Sequence, residues 1–209
     1  PVENAEAMIR LAVEAIQRAR LEPGRDFFLA LDIASSHFYR DSRYELDGES
    51  LDAPSMIAKM CEWTSRYPLV SIEDGLAEDD WSNWPRLLNS LTGHALVVGD
   101  DLLCTNPDRI RRAIDAKAAN ALLLKVNQIG TLTEAAEALH MARSAGWMVT
   151  VSVRSGETED DWAADLALGW ASDQFKNGSV TQSERLAKYN RLLELERETH
   201  LGVVSWPNV

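Results

Sequence analysis

The sequence predicts an α/β fold, a barrel of parallel strands of which about six strand–helix units are present. Three observations support this. Short apolar runs alternate with helix-period stretches, as in sheets covered by helices on both sides. Val97, Leu123 and Val149 fall at a constant spacing, one unit apart. No glycine-rich phosphate fingerprint follows the first strand, which favours a barrel over a Rossmann sheet. A complete barrel needs eight strands, so the reading is incomplete at its N-terminal side.

Residues 4–20 repeat apolar side chains at helical spacing until Pro23-Gly24 stops them. Strand runs follow at 27–32, 68–74, 94–101, 120–127 and 147–153, with a weaker one at 171–178. Amphipathic stretches near 55–66, 81–91, 107–117, 132–144, 159–169 and 182–198 supply the helices. The acidic runs Glu78-Asp79-Asp80 and Glu157 to Asp161 suit helix N-termini, where negative charge meets the positive end of the dipole. Trp63, Trp81, Trp84 and Trp162 fall in helical stretches and read as packing residues.

The 209 residues are 45% hydrophobic and 26% charged, values of an ordinary folded domain. With 21 Lys+Arg against 33 Asp+Glu, the net charge of -12 argues against nucleic acid or an anionic membrane as the main partner. A small anionic substrate remains compatible, because a bound cation and nearby lysines reverse the local sign. Cys61 and Cys104 have no CxxC or histidine company and read as buried free thiols. The four histidines are scattered, and none is assigned as a ligand. No apolar run reaches membrane-spanning length and no signal peptide opens the chain, so a cytoplasmic location is expected.

The chemistry lies at the strand ends. Asp32, Glu73, Asp100, Lys125 and Lys176 each close a strand run, Asp101 follows Asp100, and Arg154 follows the run at 147–153. In a parallel barrel these ends share one face, where catalytic groups gather. Three converging carboxylates repel one another unless a cation neutralises them. Oxygen donors without His or Cys suit Mg²⁺. Pattern alone leaves open whether Asp100 or Asp101 is the functional acid, since neighbours on a strand point opposite ways. Lys125 follows three leucines, where packing gives a lysine no purpose, and a lysine of lowered pKa serves as a base. Metal plus base suits removal of a proton beside a carboxylate, with the cation stabilising the enediolate.

The segments SIEDGLAEDDW (71–81), VGDDLLCTNPDRI (98–110), LLLKVNQIGTLTEA (122–135), RSGETEDDWAADLALG (154–169) and SERLAKYNRLLELE (183–196) closely resemble the barrel of the enolase family in order and spacing. ALDIASSHFYRD (30–41) resembles the segment with that family's first metal ligand. The resemblance covers nearly the whole chain. It implies an enolase-type TIM-like β/α barrel, with residues 1–209 a partial C-terminal barrel domain and the N-terminal capping domain outside these residues. It implies Asp32, Glu73 and Asp100 as Mg²⁺ ligands and Lys125 as the base at C2 of 2-phosphoglycerate, accompanied by Asp101. Arg154 and Ser155 would contact the phosphate and Lys176 the substrate carboxylate. The implied reaction is the glycolytic interconversion of 2-phosphoglycerate and phosphoenolpyruvate by a phosphopyruvate hydratase, in a cytoplasmic homodimer or larger assembly.

Three departures bear on that expectation. The family's SHRS motif reads Ser152-Val153-Arg154-Ser155, and His37 stands where a glutamate is usual. No VGDEGGFAP-like segment occurs, so residues 1–209 by themselves are expected to be inactive. Val153 favours a related enzyme acting on a phosphonate or another carboxylate. A non-catalytic binding protein descended from enolase is the third reading, and the retained carboxylates and lysines speak against it.

Overall fold

A computed structural model describes residues 2–200 and Gly202. The chain divides into two compact units: residues up to Leu102 with Ala113–Asn120, and Leu103–Arg112 with the residues from Ala121 onward.

The first unit opens with helix α1 (Ala5–Arg18), capped by the Asn4 side chain, which accepts the Ala7 N–H. Strand β1 (Leu29–Asp32) follows. Next comes a short antiparallel sheet, β2 (Tyr39–Arg40), β3 (Arg43–Leu46) and β4 (Glu49–Leu51). The sequence reading left this segment between the first strand run and the 55–66 helix unassigned. Helix α2 (Ala53–Arg66) begins at Asp52, whose carboxylate accepts the Ser55 N–H. Its apolar stripe (Met56, Met60 and Trp63) is buried. Strand β5 (Leu69–Glu73) is buried along its whole length and pairs in parallel with β1 on one side. On the other side it pairs with β6 (Leu96–Gly99) through helix α3 (Trp84–Leu91), again in parallel. A strand buried on both faces has no polar alternation, which is why LVSIE reads as a continuous run.

The second unit repeats the plan. Strand β7 (Ala121–Leu124) is fully buried. It connects through the short α5 (Val126–Ile129) and α6 (Leu132–Ser144) to β8 (Met148–Ser152). Helix α7 (Trp162–Gly169) then leads to β9 (Gln174–Lys176), and helix α8 (Ser183–Thr199) follows. β8 lies between β7 and β9, all parallel. Ahead of β7 runs α4 (Pro107–Ala116), divided between the two units. All six expected strand runs therefore form parallel strands with helical connections. Among the described residues, no helix is long and apolar enough to cross a membrane.

Some local expectations need correction. The helix expected near 81–91 starts only at Trp84, and that expected near 159–169 at Trp162. Glu78, Asp79 and Asp80 lie a turn ahead of α3 and do not cap it. Asp80 is buried, accepting bonds from the Tyr44 hydroxyl at 2.8 Å and the Asn83 amide at 2.7 Å. Trp63 and Trp84 are core residues as expected, Trp81 is half-buried outside the helix, and Trp162 is 43% exposed. Both cysteines are thiols rather than half-cystines, and they are only half-buried.

Candidate functional site

In the first unit, Asp32 closes β1 directly beside Glu73, which closes β5. Glu73 in turn stands in register with Val98 of β6, two residues before Asp100. The register sets Asp32 and Glu73 side by side, and Asp100 follows just beyond the end of β6 at Gly99. Asp32 is exposed, whereas Glu73 and Asp100 are buried.

Asp74 was not singled out in the sequence. Its backbone takes the left-handed conformation at φ 43°, turning the chain as it leaves β5. Its N–H donates to the Val98 carbonyl at 3.0 Å, and its carbonyl accepts the Ser35 N–H at 3.1 Å. One carboxylate oxygen accepts the Asp100 N–H at 3.0 Å, the other the Asp101 N–H at 2.8 Å. Burial pushes the Asp74 carboxyl up to about 7, opposed by the two backbone N–H groups and reinforced by the charges of Asp100 and Asp101. Ligand atoms of Asp74, Asp100 and Asp101 lie within 4.8 Å of one another. Asp100 thus belongs both to the expected ligand set and to this cluster, which does not include Asp32 or Glu73. Both oxygens of Asp74 are occupied by backbone donors, so Asp74 holds the two following acids in place. The Asp-Gly pair at 74–75 is a turn signature, the one sequence signal for it.

The donor chemistry fits a hard cation. Asp32, Glu73 and Asp100 offer only carboxylate oxygens, and two of the three are removed from water. Such oxygen sets suit Mg²⁺ rather than a nitrogen- or sulfur-seeking metal.

In the second unit, Lys125 follows β7 directly and is half-buried. Its N–H donates to the Thr105 hydroxyl at 2.9 Å, and that hydroxyl donates to the Gln128 side chain at 3.2 Å. Lys125 is thereby fixed at the mouth of its strand. Lys176 ends β9 in register with Ser152 of β8, and its carbonyl accepts the Val153 N–H at 3.2 Å. Arg154, Ser155 and Lys176 are exposed. Val153 is 9% exposed and lines a cavity of about 230 Å³ with Val126, Asn127, Thr158 and Trp162. The strand pairing brings Arg154, Ser155 and Lys176 to neighbouring strand ends, a cationic set suited to an anion.

The acidic run after Arg154 ends at the N-terminus of α7, as expected. Asp161 occupies the cap position without a side-chain hydrogen bond. Glu157 instead accepts the Arg154 N–H at 2.9 Å. Lys188 of α8, also not singled out, is wholly buried against this loop. Its one sequence signal is a lysine seven positions before the buried Leu195, on the same helix stripe.

A protein-family model described as the enolase C-terminal TIM barrel domain matches residues 1–204.

Proposed function

The chain belongs to the enolase family as a C-terminal TIM barrel domain, and from that premise we propose that it carries the catalytic residues of a Mg²⁺-dependent lyase interconverting 2-phosphoglycerate and phosphoenolpyruvate. The fold is accordingly a TIM-like barrel, of whose eight strands six parallel ones are present among the described residues. The observation that carries the proposal is the register of Asp32 with Glu73, with buried Asp100 beyond the adjoining strand.

In this reading Asp32, Glu73 and Asp100 hold Mg²⁺. When bound, the cation stabilises the negative charge that builds on the substrate carboxylate as the proton leaves. Arg154 and Ser155 bind the phosphate and Lys176 the carboxylate. Lys125 accepts the proton from C2 on its Nζ, and Asp101 shares the catalytic assignment. The electron pair left at C2 forms the C2–C3 double bond as the C3 hydroxyl departs as hydroxide, and the proton taken by Lys125 passes to solvent, so that water is the net product. Asp74 orients Asp100 and Asp101 through their backbone N–H groups. The Mg²⁺ cofactor, the glycolytic role, a cytoplasmic homodimer and the phosphorylated anionic substrate all belong to this proposal.

A second reading draws support from Val153. Its apolar side chain and those of Val126, Val151 and Trp162 line the cavity next to Arg154. Glu157 and Asp160 also line it, so the apolar Val153 beside Arg154, and not the cavity, is what favours a phosphonate or another carboxylate as substrate.

Titration calorimetry with Mg²⁺ on the intact protein and on Asp100→Asn tests the metal assignment. Loss of one anionic ligand should weaken binding by at least about tenfold, since disturbing groups behind the ligands alone costs roughly 10–100-fold. Equal affinity in the two proteins would overturn it.

A further inference from the structure

We propose that Lys188 is a positioning residue for the anion-binding loop, setting Arg154 and Ser155 from behind through Glu157. This rests on the reading of Arg154 and Ser155 as phosphate contacts.

The side chain of Lys188 is 0% exposed. An ammonium taken fully out of water is costly unless several acceptors surround it. All the acceptors come from one short segment. Nζ donates to the Thr158 carbonyl at 2.6 Å, and it lies 3.6 Å from Glu157 Oε2 and 3.9 Å from Asp160 Oδ1. The segment between Ser152 and Trp162 contains no helix or strand, and Gly156 adopts φ 77° within it. Local backbone bonding therefore does little to fix its course.

Glu157 completes the link. Oε2 faces Lys188, while Oε1 accepts the backbone N–H of Arg154 at 2.9 Å. One carboxylate thus joins a buried cation to the peptide unit that carries the arginine. The helix supplying the cation is itself anchored: Arg191 makes a bidentate pair with Asp165 of α7, at 2.8 and 3.1 Å. The bond from the Arg154 N–H is charge-assisted and so stronger than a neutral one, and the Lys188 ammonium, 3.6 Å away, holds the other oxygen as an ion pair. Arg154 and Ser155 are exposed at the start of the loop, and Glu159, Asp160 and Asp161 are exposed further along it. The competing possibility is that Lys188 merely holds α8 to the loop, with no effect on the anion contacts.

The test uses the intact protein, its Lys188→Met, Lys188→Arg, Glu157→Gln and Arg154→Met variants, and 2-phosphoglycerate as probe. Amide hydrogen exchange over residues 154–160 and the separate KM and kcat values are read. Lys188→Met should speed exchange in the loop by about tenfold while leaving β8 unchanged. It should raise KM by a similar factor and change kcat much less, and Lys188→Arg should restore most of both. If Lys188→Met does not fold, Glu157→Gln decides. It keeps an acceptor for the Arg154 N–H but loses the charge facing Lys188, and should loosen the loop by a smaller factor. Unchanged loop exchange in the variant that decides would overturn the proposal. So would a loosened loop with KM unaltered while Arg154→Met raises KM. If Arg154→Met itself leaves KM unaltered, the phosphate assignment fails, and loop exchange alone still decides whether Lys188 sets the loop.

Discussion

Replacing Asp74 by asparagine separates its role as a tie from its backbone role. Asparagine tolerates the left-handed conformation that residue 74 adopts at φ 43°, so the turn survives. What changes is the acceptor pair. Asp74 receives the N–H groups of Asp100 and Asp101 on separate oxygens, at 3.0 and 2.8 Å. Asparagine keeps one oxygen and turns an NH2 toward the other N–H, leaving that donor facing a donor inside the protein. A buried unsatisfied group costs about 1–3 kcal/mol. Relief of the buried carboxylate's desolvation offsets part of this, so a net loss of about 1–2 kcal/mol is expected. For a protein of this size each kcal/mol corresponds to about 2–4 °C in Tm. Thermal unfolding of the intact protein followed by near-UV circular dichroism measures the loss, and hydrogen exchange at the Asp100 and Asp101 amides localises it. A variant as stable as the parent, with those two amides equally protected, would refute the view that Asp74 holds the acids in place.

Three further outcomes follow from the geometry. Tyr44→Phe removes the hydroxyl that donates to Asp80 at 2.8 Å and accepts the Ala77 N–H at 3.2 Å, in a fully buried position. It should lower stability by about 1–3 kcal/mol, read as a shifted urea midpoint with unchanged slope. The Tyr67 hydroxyl at 2.6 Å and Arg66 at 2.8 Å hold the Glu6 carboxyl below its ordinary value of 4.5. A carboxyl lowered on folding contributes stability above its unfolded value and loses it as pH falls through the folded one. Acid titration should therefore loosen α1 below pH 4.5, and Glu6→Gln should abolish that pH dependence. Val153→His introduces a hydrogen-bonding ring beside the anion contacts, and should raise kcat/KM for 2-phosphoglycerate by about tenfold or more if that contact is charge-assisted. Unchanged or lower turnover would show that valine is no handicap.

The parallel strands were legible because burial on both faces leaves uninterrupted apolar runs, and LVSIE, LVVG and ALLL are all fully buried. The same runs made the strand-end residues stand out: an acid or lysine closing such a run lacks a packing purpose. The small sheet at 39–51 was hidden for the opposite reason. Its strands are two to four residues long, too short for alternation to register, although Asp47-Gly48 is a hairpin signature. Asp74 and Lys188 were hidden because their roles are long-range. The carboxylate of Asp74 answers to backbone donors 26 and 27 residues away, and Lys188 to a carbonyl 30 residues upstream. Composition explains why Glu157 to Asp161 read as a helix start. Only the fold shows that Glu157 turns back to Arg154 and inward to Lys188.

The central claim is that Lys125 removes the C2 proton of 2-phosphoglycerate in a Mg²⁺-dependent manner. Exchange of that proton with solvent deuterium, followed by nuclear magnetic resonance, reads the step without requiring the hydroxyl to depart. The intact protein should exchange C2 only when Mg²⁺ is added, and Lys125→Met should slow the exchange by about 10²–10⁴-fold, the usual worth of a positioned base. Equal exchange in the intact protein and the variant, or none at C2 in the intact protein with saturating Mg²⁺, would contradict it.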